Sequence, residues 1–273
     1  MRLEITRQST DANGIVEHQN IMRPLKSTVV RRLRNLADAL EHPRSLSARL
    51  HHGSMQLLAV LDRPWFKDLG IRTVLDIGAN SGQFAATITA ALPDAQVVSF
   101  EPIPQCFATL TRRMSYSKNF AAHRVALGDS CGTIDFHMNA FTPSSSCLPM
   151  AQSHVNAFPN TRDTQTIEVP IDRLDAVADR LGIVPRVLVK IDVQGYEGPV
   201  LSGGERTIRE AAAVIIETSF TTLYEGQLLF DPVYRLLTEW GFRYVGSVEQ
   251  HHRPSDELPL FEDSLFLSRK TLP

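Results

Sequence analysis

Four acidic residues lie at the ends of short apolar segments, where α/β proteins place ligand-binding carboxylates. Asp76 and Glu101 end two such segments, and Asp192 and Glu217 follow two more. Because the ligand crevice of an open parallel sheet lies at the carboxyl ends of its strands, we expect these carboxylates on one rim. Polar residues also gather at strand ends for structural reasons, but the purely apolar runs before Asp192 and Glu217 favour a functional role.

A glycine-bearing turn follows Asp76 and indicates a nucleoside site. Gly78 and Gly82 allow a tight turn and a close backbone approach before a helix predicted over residues 83–92. Glu101 stands roughly 20 or more positions further on, where an acid accepts hydrogen bonds from both ribose hydroxyls. An ordinary βα turn would also contain glycine, but the turn and the distant acid together favour a nucleoside cofactor.

The residue at position 80 separates two kinds of nucleoside cofactor. The dinucleotide fingerprint G-x-G-x-x-G rests a pyrophosphate on a helix N-terminus. Asn80 stands where the close approach of a phosphate would favour another glycine. S-adenosylmethionine carries a sulfonium and an amino acid group and no phosphate, so it suits this D-x-G-x-x-x-G turn. The alternatives are a nicotinamide oxidoreductase on a Rossmann sheet and a non-catalytic binding module that keeps the cofactor fold.

The elements around these residues alternate between strands and helices, which indicates an α/β, Rossmann-like fold. Strands are predicted at 74–77, 97–100, 123–127, 186–191 and 213–216. Two hairpins are predicted, one pairing 133–138 with 166–171 and the other pairing 242–248 with 264–268 through a polar loop over 249–260. We therefore expect a mostly parallel seven-stranded sheet with helices on both faces, a C-terminal antiparallel hairpin and an N-terminal helical extension.

The first 70 residues are predicted to form an arm and this helical extension, and residues 71–273 the cofactor-binding domain. Apolar residues recur at helical spacing over 27–40 and 45–61, whereas residues 1–25 are polar and unpatterned. No apolar run approaches the length of a membrane span, and the first residues lack the apolar core of a signal peptide.

The composition excludes further classes of protein. A formal net charge of -2 gives no basic field for nucleic acid. The 3 cysteines include no C-x-x-C pair, so they indicate neither a disulfide framework nor a zinc site. A cytoplasmic protein with a small-molecule or glycan substrate is expected.

The connection over residues 139–165 is long for a compact domain and is predicted to form a substrate lid. It falls on the ligand side of the predicted sheet, and Tyr224 lies on a neighbouring rim loop. The polar side chains expected to contact the substrate are Ser144, Ser145, Ser146, His154 and Tyr224.

Several segments carry a more specific resemblance. In chain order they read LDIGANSGQF, SFEP, VALGDSCGTIDF, SSS, LVKIDVQGYEGPVLSGG, IIETSFTTLYEG and EDSLF, over roughly residues 70–268. This series resembles the FkbM family of O-methyltransferases, within the class I S-adenosylmethionine-dependent methyltransferases. Gln194 stands where the family more often shows Glu.

The resemblance implies methyl transfer to a hydroxyl group, most often of a sugar in a glycolipid, polysaccharide or glycosylated natural product. Leu127 and Asp129 are then placed to contact adenine. The residues expected to bind the cofactor are Asp76, Gly78, Asn80, Gly82, Glu101, Pro102, Leu127, Asp129 and Asp192. In related methyltransferases a helical extension packs over the cofactor or forms a dimer contact, which leaves a homodimer open.

Catalysis needs a base or a metal, because a hydroxyl is a weak nucleophile until its proton leaves. Asp192 is the first candidate for the base and His154 the second, while Glu217 could position the acceptor or the cofactor's amino group. Lys190 is expected to face away from Asp192. Two acids without a clear third do not predict a metal site, and a magnesium requirement stays open.

Overall fold

The computed structural model describes residues 43–271, with side chains from residue 46 onward. The chain divides into two compact units, Met1–Pro43 and Arg44–Pro273. The arm and the first helix predicted before residue 41 lie outside the described residues. The boundary at residue 70 stays a prediction, and the helices just before it share an apolar core with the sheet.

Ten strands form two sheets in the described part of the chain. They are β1 (Thr73–Ile77), β2 (Gln96–Phe100), β3 (Phe120–His123), β4 (Ala126–Gly128), β5 (Gly132–Asn139), β6 (Thr164–Arg173), β7 (Val187–Ile191), β8 (Ala213–Ser219), β9 (Phe242–His252) and β10 (Pro259–Ser268). The larger sheet has the order β3-β2-β1-β7-β8-β10-β9, and β10 runs antiparallel to both of its neighbours. The predicted mostly parallel seven-stranded sheet with a C-terminal antiparallel hairpin is confirmed.

The helices connect these strands and precede the sheet. They are α1 (Pro43–Leu50), α2 (Met55–Leu61), α3 (Pro64–Lys67), α4 (Gln83–Ala91), α5 (Pro104–Arg113), α6 (Gln152–Ala157), α7 (Leu174–Ala178), α8 (Glu197–Gly203), α9 (Glu205–Arg209) and α10 (Phe230–Glu239). The single helix predicted over 45–61 is two helices, because Ser54 caps α2 by accepting a hydrogen bond from the Leu57 N–H at 3.2 Å. Among residues 43–271, no helix has the length and apolarity to cross a membrane.

The centre of the sheet is buried on both faces, which explains why its strands are apolar without alternation. All five residues of β1 are buried, and β1 pairs in parallel with β2 and β7. Val74 and Leu188 pack in one apolar layer, and Leu75 and Val189 pack in the other. The carboxyl ends of β1, β2, β7 and β8 consequently meet along one rim.

The third strand predicted over 123–127 is divided between the two sheets. The N–H of Val125 donates to the carbonyl of His123 at 3.1 Å, a three-residue turn that redirects the chain. Strand β3 stays in the larger sheet, while β4 joins β5 and β6 in the three-stranded sheet of order β4-β6-β5. The predicted hairpin of 133–138 with 166–171 is confirmed as β5 and β6.

The C-terminal hairpin is longer than its sequence pattern indicates. Half of the loop predicted over residues 249–260 is strand, because β9 continues to His252 and β10 begins at Pro259. Burial alternates with a period of two at the end of β9, which is typical of a strand with one face toward an enclosed space. That space is the cavity of the candidate active site.

Candidate active site

A cavity of about 860 Å³ lies at the carboxyl ends of the parallel strands. Its walls come from the turn after β1, the ends of β2, β7 and β8, the strand β4, the connection between β5 and β6, and the β9–β10 hairpin. This volume is within the range that small-molecule and cofactor sites occupy. The cavity therefore joins most of the segments that the sequence associates with cofactor and substrate.

Glu101 forms a rigid acidic wall at one end of the cavity. Its Oε2 accepts a hydrogen bond from the N–H of Asn80 at 2.7 Å, and its Oε1 accepts one from the N–H of Ile103 at 2.8 Å. Burial raises the pKa of this carboxyl to about 7, although the two backbone hydrogen bonds oppose the shift. A carboxylate held by two backbone donors, each oxygen with lone pairs to spare, is suited to accept hydrogen bonds from a vicinal diol.

The turn after β1 brings Gly78 and Asn80 to the cavity but not Gly82. A Cβ on Gly78, whose φ is 81°, would lie 1.8 Å from the carbonyl oxygen of Asp192, so only glycine lets these strand ends approach. Asn80 has a φ of 46°, and its Oδ1 accepts the N–H of Ser81 at 2.7 Å. Gly82 begins α4 and packs against Leu110 of α5, away from the cavity lining.

Asp76 lies behind the cavity wall and does not reach its surface. It is fully buried, and its Oδ2 accepts a hydrogen bond from the Ser99 hydroxyl at 2.8 Å. Its Oδ1 has no hydrogen-bond partner among the described residues and lies 3.9 Å from the Lys190 ammonium. Burial raises the pKa of Asp76, while Lys190 and Ser99 oppose the shift. The structure thus places Asp76 as a support for Lys190.

Lys190 faces the same side as Asp192, and the expectation that it faces away is wrong. Residues two apart in a strand share a face, so the two side chains meet, with Nζ 3.0 Å from Asp192 Oδ2. Burial alone would lower the pKa of the Lys190 ammonium, but the Asp192 and Asp76 carboxylates outweigh it and the pKa is raised. A buried, fully charged ammonium therefore lies in the cavity wall.

Gln194 bridges two carboxylates, that of Asp192 at the end of β7 and that of Glu217 in β8. Its Nε2 donates to Asp192 Oδ1 at 2.8 Å and to Glu217 Oε2 at 3.0 Å, while its Oε1 accepts the Tyr224 hydroxyl at 2.9 Å. Burial and the nearby Asp192 raise the pKa of Glu217 well above its ordinary value. An amide at position 194 supplies two donors to two acids, which a glutamate there could not do.

His154 is a buried histidine without a hydrogen-bond partner. It is 3% exposed, and neither ring nitrogen is bonded to any described residue. The ring packs edge-on against Phe158 at 5.3 Å and Tyr224 at 5.1 Å between centroids. Burial lowers its pKa, so the imidazole is neutral at pH 7 and keeps one nitrogen able to accept a proton. It lines the cavity, as the predicted lid requires.

The remaining substrate candidates are divided by the structure. Ser144 and Ser145 line the cavity. Ser146 and Tyr224 lie outside its lining and hold the loop of Gln194 instead: the Ser146 hydroxyl donates to the Gln194 carbonyl at 2.6 Å, and Tyr224 bonds the Gln194 side chain. The hydroxyls of Ser146 and Tyr224 are therefore already hydrogen-bonded within the protein.

The apolar part of the cavity lies beside Glu101. Pro102 and Ile103 line it from the end of β2, and Leu127 lines it from β4. Asp129 is exposed and lies outside the lining, because the chain turns away after Gly128. The structure therefore offers an apolar slot for an aromatic base but does not bring the predicted acceptor Asp129 to it.

Sequence reasoning assigned no role to several residues of this site. Lys190 and Gln194 lie within the KIDVQGYE segment, but only the folded strand end shows that they neutralise and bridge the acids. Glu249, His251 and Asp263 of the hairpin also line the cavity. The sequence favours His251 as a solvated loop histidine that could touch a substrate, because residues 249–252 are all polar and resemble a loop.

Comparison with known proteins agrees with this architecture. The family model "Methyltransferase FkbM domain" matches residues 76–244. The chain is 30% identical over 212 residues to 2-O-methyltransferase NoeI of Sinorhizobium fredii (strain NBRC 101917 / NGR234), covering 76% of this chain and 83% of the relative. It is 25% identical over 169 residues to methyltransferase sdnD of Sordaria araneosa, covering 53% of this chain and 65% of the relative.

Solved structures give a more distant similarity. EvdMO1 has a TM-score of 0.42 and 11% identity, with 78% of this chain and 41% of that chain covered. Fibrillarin from Aeropyrum pernix has a TM-score of 0.41 and 13% identity, with coverages of 72% and 66%. The family match spans more than half of the chain and sets aside the oxidoreductase alternative. The chain is a methyltransferase and belongs to the FkbM family.

Proposed function

We propose that the protein is an S-adenosylmethionine-dependent O-methyltransferase whose acceptor is a hydroxyl group of a sugar. The observation that carries the proposal is one cavity with the backbone-anchored carboxylate of Glu101 at one end and the unpartnered imidazole of His154 in its wall. Membership of the FkbM family and the 2-O-methyltransferase name of a relative at 30% identity support transfer to oxygen.

The residues present fit this cofactor at three points. Glu101 has the geometry to accept both ribose hydroxyls, and Pro102, Ile103 and Leu127 form the apolar slot for adenine. Asp192 and Lys190 line the cavity beside the Gly78 turn, and their opposite charges would match the ammonium and the carboxylate of the cofactor's amino acid group. S-adenosylmethionine supplies an electrophilic methyl group on its sulfonium.

His154 is the base that we assign to the acceptor hydroxyl. Asp192, the first candidate from the sequence, already accepts hydrogen bonds on both oxygens, from Gln194 and Lys190. The neutral imidazole of His154, in the cavity wall, instead has both nitrogens buried and free of hydrogen bonds to the described residues. Asp192 then orients the acceptor or the cofactor's ammonium, and Glu217, buried and with a raised pKa, positions it through Gln194.

Activity on sugars tests this proposal directly. The purified chain is incubated with S-adenosylmethionine carrying a labelled methyl group and with a panel of glycosides that present single free hydroxyls. We expect transfer of label to at least one sugar oxygen. For His154→Gln we expect kcat to fall by about 100-fold or more, the range for removal of a general base, with the affinity for S-adenosylhomocysteine unchanged.

The pH dependence separates a base from a packing histidine. Because burial lowers the pKa of His154, the base is neutral above that pKa, and the acidic limb of the wild-type kcat profile should fall below the ordinary histidine value of about 6.5. Loss of this limb in His154→Gln is expected. Cofactor binding without transfer to any hydroxyl would instead support the non-catalytic module, and an unchanged kcat in the variant would contradict the base assignment.

A further inference from the structure

The β9–β10 hairpin gathers three side chains of metal-ligating types at the cavity. Asp263 is paired with Glu249 across the two strands, and Phe261 is paired with His251. Since alternate residues of a strand share a face, Glu249, His251 and Asp263 all point to the cavity side and line it. Their ligand atoms lie within 4.8 Å of one another. Donors around a metal bound at 2.0–2.2 Å are at most about 4 Å apart, so small side-chain rotations complete the set.

The donor atoms of Glu249, His251 and Asp263 have no hydrogen-bond or ion-pair partner in the described part of the chain. Within residues 43–271, the carboxylates of Glu249 and Asp263 and the ring nitrogens of His251 take part in no hydrogen bond or ion pair. The half-buried Asp263 carboxylate is attracted by the Lys190 ammonium and repelled by the Asp192 and Glu249 carboxylates, so a bound cation would stabilise its charge.

The carboxylate next along β10 shows what a structural acid in this hairpin looks like. Glu262 is 3% exposed and points to the other face of the sheet. Its Oε1 accepts the hydroxyls of Tyr244 at 2.8 Å and Ser264 at 2.7 Å. Glu262 is saturated by the fold, whereas Asp263 and Glu249 are left with their oxygens open to the cavity.

His251 is held in place by an aromatic contact that leaves its nitrogens available. Its ring stacks on Phe261 with the centroids 4.4 Å apart and the planes at 16°. Stacking restricts the imidazole through its face, while the two nitrogens lie on its edge. The orientation of this donor is therefore fixed without use of the atoms that would bind a metal.

We propose that Glu249, His251 and Asp263 bind one divalent cation of the manganese or zinc type at the cavity wall. One imidazole and two carboxylates suit these ions better than calcium or magnesium, which prefer oxygen ligands alone. Three protein ligands leave coordination positions open on the cavity side. Metal binding at this site does not depend on the proposed function. The role that we assign to the metal, to bind and orient the acceptor hydroxyl opposite Asp192, rests on that function.

Manganese binding to the full chain tests the site without cofactor or acceptor. Electron paramagnetic resonance of free Mn²⁺, titrated with the purified protein, should show saturable binding of one ion per chain. Asp263→Asn and His251→Ala should each weaken binding by about tenfold or more, because each removes a ligand. Asp256→Asn is the matched control, since this exposed carboxylate lies in the loop of the same hairpin and pairs with Arg253.

Thermal unfolding and S-adenosylhomocysteine binding of each variant show whether its fold is intact. Absence of saturable binding of both Mn²⁺ and Zn²⁺ to the wild type would overturn the site, as would equal Mn²⁺ affinity of the wild type and both ligand variants. Failure of the proposed function has a different signature, namely intact Mn²⁺ binding with no methyl transfer to any glycoside.

Discussion

Replacement of Lys190 by methionine tests the charge balance on which the rim of the sheet depends. The ammonium lies 3.0 Å from Asp192 and 3.9 Å from Asp76, whose side chains are 31% and 0% exposed. Methionine keeps most of the volume and the apolar contacts but leaves both carboxylates without a cation. We expect Lys190→Met to destabilise the protein, chiefly through the fully buried Asp76.

The structure sets the size of this effect. With an effective dielectric constant of about 20, Coulomb's law gives an attraction of roughly 4 kcal/mol for the Lys190–Asp76 pair and roughly 5 kcal/mol for the Lys190–Asp192 pair. Solvent screens the second pair because Asp192 is partly exposed, and relief of the ammonium's desolvation offsets much of the loss. Removal of one partner from a buried pair typically costs about 3–5 kcal/mol, which is the loss that we expect at pH 8.

The expected loss depends on pH, with a sign that follows from Asp76. Its pKa is raised above 3.8 in the folded protein, so this carboxyl reduces stability as the pH rises from 3.8 through the folded value. Without Lys190 the folded pKa rises further, and the penalty of ionisation grows. The variant should therefore lose less stability at pH 5 than at pH 8, since Asp76 can be protonated at the lower pH.

Urea unfolding, monitored by circular dichroism at pH 5 and at pH 8, measures the free energy of unfolding of the wild type and of Lys190→Met. Lys67→Met is the matched control, because Lys67 pairs with Asp62 at 2.8 Å with side chains 35% and 26% exposed, and such a pair is worth about 0–1 kcal/mol. Adding Asp76→Asn to Lys190→Met should recover part of the loss at pH 8. A loss equal to that of the control, or the same at both pH values, would refute the reasoning.

Two further substitutions test the cofactor end of the cavity. Glu101→Gln should weaken S-adenosylhomocysteine binding by about 10- to 100-fold in calorimetry, because hydrogen bonds to a charged acceptor are worth about 1.5–3 kcal/mol; Glu168→Gln, exposed on β6, is the control, and equal affinities would contradict the ribose assignment. Gly78→Ala should lower thermal stability more than Gly226→Ala. Both glycines have φ near 80°, but only at Gly78 would the Cβ meet a backbone atom, the Asp192 carbonyl oxygen at 1.8 Å. Similar losses in the two alanine variants would show that the strand ends can separate at little cost.

The local sequence is sufficient to predict the role of a residue where that role depends on the residues next to it in the chain. The buried strands are apolar on both faces, so β1, β2, β7 and β8 were visible as short runs, and the acids that end them were visible as interruptions. A search for short apolar runs does not find a strand whose residues are polar. Residues 249–252 of β9 are polar at every position and therefore predict a loop, and the cavity that covers one face of this strand is formed by other parts of the chain.

Contacts between distant segments were decided only by the tertiary structure. Asp76 and Asp192 look equivalent in sequence, since each ends an apolar run. The structure buries Asp76 completely and leaves Asp192 at the cavity, because Asp76 lies within β1, paired with Lys190 of β7, whereas Asp192 lies just beyond the end of β7. The polarity and position of Ser146 and Tyr224 predict contacts with the substrate, whereas in the fold both hydroxyls donate hydrogen bonds to Gln194.

The sequence by itself determined the fold class, the family and the strand ends that carry the acids, because periodicity and turn residues act over a few positions. Only the tertiary structure decided which acids are neutralised, bridged or left open. Lys190 pairs with Asp192, close in the chain, and with the distant Asp76, and Gln194 bridges Asp192 to the distant Glu217. The electrostatic energy of a group depends on what surrounds it in space, so only the tertiary structure decides that Asp76 is neutralised behind the cavity wall while Asp263 lies in that wall.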